Sequence, residues 1–120
     1  MIVAGFGFRR AATTDSLADA LARTGDMPDA LATAADKTPT LAPLAERLGL
    51  PIRPVPPEAL KAARTATESP ASRAERGTGS VAEAAALAAA GTGARLLGPR
   101  VISADRLATC ALATTLGETP

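Results

Sequence analysis

The chain has 120 residues and a net charge of +1, which is the size of one domain with a modest core. Its near-neutral charge and its aromatic content of 2%, from Phe6 and Phe8 alone, argue against nucleic-acid binding. Neither a basic surface nor a platform for base stacking is available. No apolar stretch reaches the roughly 18 residues of a membrane-spanning helix, so we expect no membrane partner.

Histidine is absent and Cys110 is the single cysteine. This excludes a Ser-His-Asp triad, an internal disulfide and a multi-cysteine metal site. Any acid–base chemistry would depend on Asp, Glu, Lys or water, and we expect neither a metal nor a cofactor. Cys110 lies in an apolar run and is predicted to be a buried residue, not a nucleophile. A lone cysteine, with no basic segment before the first apolar run, leads us to expect a cytoplasmic protein.

Residues 2–8 are predicted to form a buried first strand that runs into a glycine-opened loop. Arg9 and Arg10 follow at its carboxyl end, the edge at which open α/β sheets bind ligands. A Gly-x-Gly sequence here resembles a dinucleotide fingerprint, but Arg10 stands where the third glycine is required. Thr14 is predicted to cap a helix over residues 15–24.

The middle of the chain reads as short alternating elements. A strand is predicted over 31–34, followed by a loop that carries Asp36 and Lys37. The next predicted elements are a helix over 39–48, an edge strand over 52–55, a short helix over 57–64, and a polar loop over 67–76 with a helical turn begun by Ser69 and Pro70.

A slim, alanine-rich helix is predicted over residues 81–90. Ser80 is suited to be its N-cap, and Glu83 has the spacing to close a capping box with it. The first interpretation of Glu83 is therefore a capping residue. A catalytic carboxylate is the alternative.

Two glycines stand directly before this helix, at positions 77 and 79. They could simply form a turn. Alternatively, their bare backbone N–H groups and the positive end of the helix could bind a carboxylate or phosphate.

Two strands are predicted at the carboxyl end, over 95–103 with an interruption at Gly98-Pro99, and over 107–115. Residues 104–106 read as a hairpin turn, so this pair should be antiparallel. The order of elements predicts an α/β fold, a three-layer α/β/α domain with a mixed sheet that spans residues 1–120.

Three blocks together resemble the CobE/CbiG carboxyl-terminal domain family of cobalamin biosynthesis. They are residues 3–10, residues 31–50 with the Asp36-Lys37 pair, and residues 77–87. One departure is Ala35, which stands before Asp36 where the family commonly has a larger residue. Because the chain starts at the first strand, the resemblance is to the stand-alone CobE type.

The resemblance implies a role in corrin-ring biosynthesis. CbiG-type proteins open the ring lactone of a cobalt-precorrin and release a two-carbon aldehyde. The first hypothesis is therefore a protein that binds or assists a polycarboxylate tetrapyrrole intermediate, with other corrin-biosynthesis enzymes as further partners. The second is a lactone hydrolase in which Glu83 or Asp36 activates water. A nucleotide-phosphate site is disfavoured because the chain lacks a P-loop sequence.

Corrin precursors carry many carboxylates, which guanidinium groups and backbone N–H groups bind well. The predicted ligand-binding residues share these properties: Gly5, Gly7, Arg9, Arg10, Lys37, Gly77, Thr78, Gly79 and Ser80. We expect the 5–10 loop and the 77–80 turn to line one cleft. The alternative for each arginine is solvated surface charge, and Arg106 is expected to lie away from the cleft.

Overall fold

A mixed sheet forms the centre of the computed structural model, which describes residues 1–115. The predicted domain end at residue 120 lies outside these residues. The strands are β1 (Ile2–Phe8), β2 (Ala30–Ala34), β3 (Ile52–Val55), β4 (Arg95–Leu96), β5 (Val101–Ile102) and β6 (Ala108–Thr114). Their order is β3-β2-β1-β6-β4, and β5 also pairs with β6. The first three strands are parallel, whereas β6 runs antiparallel to β1 and to both β4 and β5.

Helices cover both faces of this sheet. They are α1 (Thr14–Thr24), α2 (Thr38–Leu48), α3 (Pro57–Ala62), α4 (Pro70–Arg76) and α5 (Val81–Ala90), with a short 3-10 turn at Ala35–Lys37. Alternate residues of β1 face opposite layers: Phe6 packs with α1 and α2, and Val3 packs with α3 and α5. The predicted three-layer α/β fold with a mixed sheet is confirmed. Within the described residues, no helix has the length and apolar character needed to cross a bilayer.

Helix α5 lies directly against β1 because its alanines keep it thin. A Cβ built on Gly5 would stand 2.1 Å from the carbonyl oxygen of Ala82 and 2.4 Å from the backbone nitrogen of Ala86. Only a residue without a side chain allows strand and helix to approach so closely. Gly5 therefore serves the packing of these two layers.

Two local predictions differ from the structure near helix starts. The N-cap of α1 is Thr13, not Thr14, because the Thr13 hydroxyl accepts from the backbone N–H of Ser16 at 3.2 Å. The predicted loop over 67–76 contains a seven-residue helix, α4. Pro70 presets its first turn and Ser69 caps it, so the helical turn that these residues indicated extends further than expected.

The carboxyl-terminal hairpin is as predicted. β4 and β5 pair with successive parts of β6 and are separated by the segment that contains Gly98 and Pro99. The turn before β6 includes Arg106, whose φ of 62° is in the left-handed region. The Asp105 carboxylate accepts from the Leu107 backbone N–H at 3.0 Å and from the Ser103 hydroxyl at 2.6 Å. These bonds stabilise the turn in this conformation.

Candidate functional site

A cleft of about 810 Å³ opens where β1 and β2 end. Phe8 and Ala34 bring the carboxyl ends of these strands to it, and Ala108 brings the beginning of the antiparallel β6. Helix α4 forms another wall through Ser72 and Arg76. This is the edge of the sheet at which α/β proteins bind ligands. The volume is within the range of roughly 300–1,000 Å³ typical of small-molecule sites.

Basic side chains outnumber acidic ones in this cleft. The acidic residues are Asp36, Glu75 and Asp105. The basic residues are Arg9, Arg10, Lys37, Arg76, Arg100 and Arg106. Because six basic side chains stand against three acidic ones, the cleft presents an excess of positive charge to a ligand.

Lys37 is fixed beside the end of β1. Its Nζ donates to the Phe8 carbonyl at 3.2 Å and lies 5.0 Å from the centroid of the Phe8 ring. The 3-10 turn that carries Lys37 follows β2 directly, so the predicted loop position is correct. The ammonium group is half-buried and keeps donors free for an anion in the cleft.

Asp36 lies on the cleft and is paired across it with Arg76. The two terminal nitrogens of Arg76 donate to the two carboxylate oxygens of Asp36 at 2.8 and 2.9 Å. The guanidinium group of Arg76 holds the pKa of the Asp36 carboxyl below its ordinary value. The carboxylate is thereby a weaker base than a free aspartate.

Asp105 is held by three donors at the other side of the cleft. The hydroxyls of Ser103 and Ser16 donate to it at 2.6 Å each, and the Leu107 backbone N–H donates at 3.0 Å. These bonds lower the pKa of the Asp105 carboxyl. Arg106, exposed on the same turn, lines the cleft. The expectation that Arg106 lies away from the cleft is therefore wrong, because the pairing of β1 with β6 returns its turn to the end of β1.

Glu83 is completely buried and does not line the cleft. Its carboxylate accepts from the Thr67 backbone N–H at 2.8 Å, from the Thr67 hydroxyl at 2.7 Å and from the Arg100 backbone N–H at 2.8 Å. Ser80 is the N-cap of α5, as predicted, since its hydroxyl accepts from the Glu83 N–H at 3.3 Å. The reciprocal half of the capping box is not formed, because the Glu83 carboxylate binds these two loops instead.

Contrary to expectation, the 5–10 loop and the 77–80 turn do not line the same cleft. Gly7 lines it together with Arg9 and Arg10, whereas Gly5 lies under α5. Residues 77–80 lie outside the lining and follow α4 directly. A Cβ built on Gly79 would stand 2.3 Å from the Thr67 carbonyl oxygen, so the 65–68 loop covers this turn.

The other residues of the 77–80 turn either end α4 or are buried in the protein. Gly77 ends α4 in the left-handed conformation, with a φ of 70°. Thr78 and Ser80 are buried, and the Thr78 hydroxyl has no hydrogen-bond partner within residues 1–115. None of these residues lines the cleft, although Val81, which follows Ser80, does. Their ligand-binding role stays a prediction that this geometry does not favour.

Arg76 and Arg100 line the cleft but are not among the residues that the sequence predicts for it. The sequence predicts a polar loop around Arg76, but its Ser69-Pro70 helix start is the signal that places Arg76 in the last turn of α4. Arg100 follows the Gly98-Pro99 interruption, and its backbone is held by Glu83. That contact joins residues 17 positions apart and has no local sequence signal. Among residues 1–115, no group of His, Cys, Asp and Glu side chains is arranged to hold a metal ion.

Comparison with known proteins gives concordant matches. The family described as Cobalamin synthesis G C-terminus matches residues 2–113. The crystal structure of CobE, a protein from the cobalamin (vitamin B12) biosynthetic pathway, is 36% identical with a TM-score of 0.88, over 98% of this chain and 95% of that one. The cobalamin biosynthesis protein chiG from Agrobacterium tumefaciens is 37% identical with a TM-score of 0.73, over 98% of this chain and 100% of that one.

A more distant structure shares the fold. The cobalamin biosynthesis protein G homolog from Sulfolobus solfataricus is 20% identical with a TM-score of 0.71, over 95% of this chain and 36% of that one. A search of curated protein sequences gives no match.

Proposed function

The chain belongs to the Cobalamin synthesis G C-terminus family and is a protein of cobalamin biosynthesis, and we propose that its cleft binds a polycarboxylate corrin-pathway intermediate. The observation that carries the proposal is the group of basic side chains around one cleft at the carboxyl ends of β1 and β2. Corrin precursors have a flat apolar ring with carboxylates at its edge. Such a ligand needs cations around a cleft that is large enough for a ring.

Apart from Arg76, which is paired with Asp36, the cleft cations fall into two groups by their exposure to solvent. Arg9, Arg10 and Arg106 are exposed, and no ion pair within residues 1–115 engages them. Lys37 and Arg100 are half-buried in the wall. The exposed arginines have the reach to bind carboxylates at the ring edge in a bidentate manner. The wall residues would contact the ligand closer to the ring.

Part of the cleft lining is suited to an apolar ring. Gly7, Phe8, Ala34 and Val81 contribute small or apolar surface there. Val81 and Thr109 pack closely against Gly7, since a Cβ built there would stand 3.2 Å from the Val81 Cβ and 3.0 Å from the Thr109 hydroxyl oxygen. A ligand would thus bury ring surface between arginines that hold its rim.

Two corrins give a direct test of this proposal. Cobyrinic acid carries free carboxylates at the ring edge, whereas in cobinamide the corresponding groups are amides. Titration into the wild-type protein, followed by the visible absorbance of the corrin, should give tighter binding of cobyrinic acid, and this preference should decline as salt rises. Equal binding of both corrins, or binding of neither, would refute the proposal.

Hydrolysis of a cobalt-precorrin ring lactone is a second candidate function. Asp36 is the observation in its favour, since its carboxylate lines the cleft and is 66% exposed to water. Its pairing with Arg76 makes it a weak base, and Glu83 has no access to the cleft, so we place this function second. Incubation with lactone-containing intermediates and an assay for released aldehyde separates binding from hydrolysis.

We also propose protein partners and a cellular compartment for this chain. An intermediate held by its rim must be passed on, so other corrin-biosynthesis enzymes are the expected protein partners. The cytoplasm is the compartment that fits a chain whose single cysteine is buried and reduced.

A further inference from the structure

Arg76 is the cleft cation that already holds a carboxylate in the free protein. It binds both oxygens of Asp36, and the guanidinium side chain is 23% exposed whereas the aspartate side chain is 66% exposed. Since the aspartate keeps much of its contact with water, its release requires little change in solvation. Asp36 is therefore the member of the pair that another carboxylate can replace.

The same pair attaches α4 across the cleft. Helix α4 has no buried residue. Within residues 1–115, its other side-chain hydrogen bonds run to its own flanks: Arg73 binds Glu68 and the Gly77 carbonyl, and Ser72 binds Ser69. The Arg76–Asp36 contact is thus the hydrogen-bonded link between α4 and the end of β2.

We propose that Asp36 occupies, in the free protein, the place on Arg76 that a ligand carboxylate takes in the complex. The incoming carboxylate accepts the same two guanidinium hydrogen bonds, and Asp36 returns to water. Asp36 would then lower the affinity for carboxylates while keeping α4 in place when the cleft is empty. This inference rests on the proposed function, because it needs a carboxylate ligand.

Asp36→Asn tests the exchange, with Glu75→Gln as a matched control. Both variants remove one negative charge from the cleft lining, but Glu75 makes no ion pair with Arg76 within the described residues. Asp36→Asn frees Arg76 from an exposed ion pair. Its affinity for cobyrinic acid should therefore be about two- to fivefold higher than that of Glu75→Gln. In an Arg76→Gln background this difference should disappear, because the exchanged partner is gone.

Hydrogen exchange of the α4 amides gives an independent measurement. Without ligand, α4 should exchange faster in Asp36→Asn than in wild type, because its link to β2 is lost. Saturating cobyrinic acid should restore protection in Asp36→Asn, since the ligand carboxylate then holds Arg76. Cobinamide should not restore it.

The possible failures are distinguishable. If wild type does not prefer cobyrinic acid to cobinamide, the proposed function and the exchange are both wrong. If wild type has that preference, the exchange alone is overturned by any of three results. These are equal affinities of Asp36→Asn and Glu75→Gln, a gain that persists without Arg76, and α4 protection that ligand does not restore.

Discussion

Replacement of Glu83 by Gln tests the role that the structure gives this buried carboxylate. Oε1 accepts from the Thr67 backbone N–H, and Oε2 accepts from the Thr67 hydroxyl and the Arg100 backbone N–H. Glutamine keeps one oxygen and presents an N–H₂ group in place of the other. The Thr67 hydroxyl can rotate to accept from that group, but one backbone N–H must then face a donor.

The magnitude follows from the lost acceptor. A buried donor left without a partner costs about 1–3 kcal/mol, so Glu83→Gln should lower the free energy of unfolding by about 2 kcal/mol. For a domain of this size, that corresponds to a fall in Tm on the order of 10 °C. If Glu83 were a capping residue instead, the change would be small, because glutamine can also complete a capping box.

Urea denaturation followed by circular dichroism measures the difference. Glu75→Gln is the control, since it makes the same chemical change on an exposed side chain and should stay within about 0.5 kcal/mol of wild type. Equal stability of Glu83→Gln and wild type would refute the anchoring of these two loops by Glu83.

Three further predictions concern packing, pH and thiol chemistry. Gly5→Ala should lower the free energy of unfolding by about 1–3 kcal/mol because its Cβ meets backbone atoms of α5, whereas Gly98→Ala, with open space around it, should change little in the same urea experiment. Because hydrogen bonds lower the folded-state pKa of Asp105, its contribution to stability is complete above the ordinary aspartate pKa of about 4 and is lost as pH falls through the folded value. Thermal unfolding of Asp105→Asn should therefore depend less on pH in this acid range than that of wild type, and equal pH dependence would contradict this. Burial raises the pKa of the Cys110 thiol, so a thiol reagent such as DTNB should react only after unfolding, and rapid reaction of the native protein would contradict its buried position.

The fold could be predicted because its signals are local. Helix α5 was bounded correctly by a capping serine and a terminating glycine, and β3 was bounded by prolines. The parallel half of the sheet followed from alternating strands and helices, and the final hairpin from a short polar turn. These features depend on residues within one or two turns of each other.

The site was predicted less completely because it depends on distant contacts. Lys37, Arg9 and Arg10 were found, since each directly follows a strand that ends at the cleft. The pairing of Asp36 with Arg76 joins residues 40 positions apart, and the sequence carries no signal for it. The Gly77–Ser80 turn has the composition of an anion site, but another loop covers it, and only the tertiary structure shows this.

In the proposed function, the exposed arginines at the cleft bind a polycarboxylate ligand. Arg10 lies on the cleft, whereas Arg95 is exposed at the other end of the sheet, where it lies opposite Thr114. Thr114 in turn pairs with Ile2, at the start of β1. Replacement of either arginine by alanine therefore removes one positive charge, in each case at a different end of the same sheet.

Titration of cobyrinic acid into Arg10→Ala and Arg95→Ala, at two salt concentrations, tests whether the cleft arginines hold the ligand. At low salt, Arg10→Ala should lose about 2 kcal/mol of binding free energy, roughly thirtyfold in affinity, and Arg95→Ala should match wild type. The difference should narrow at high salt, because screening weakens partly exposed ion pairs. Equal, small losses in both variants would mean nonspecific attraction to a charged surface and would contradict the assignment of the cleft.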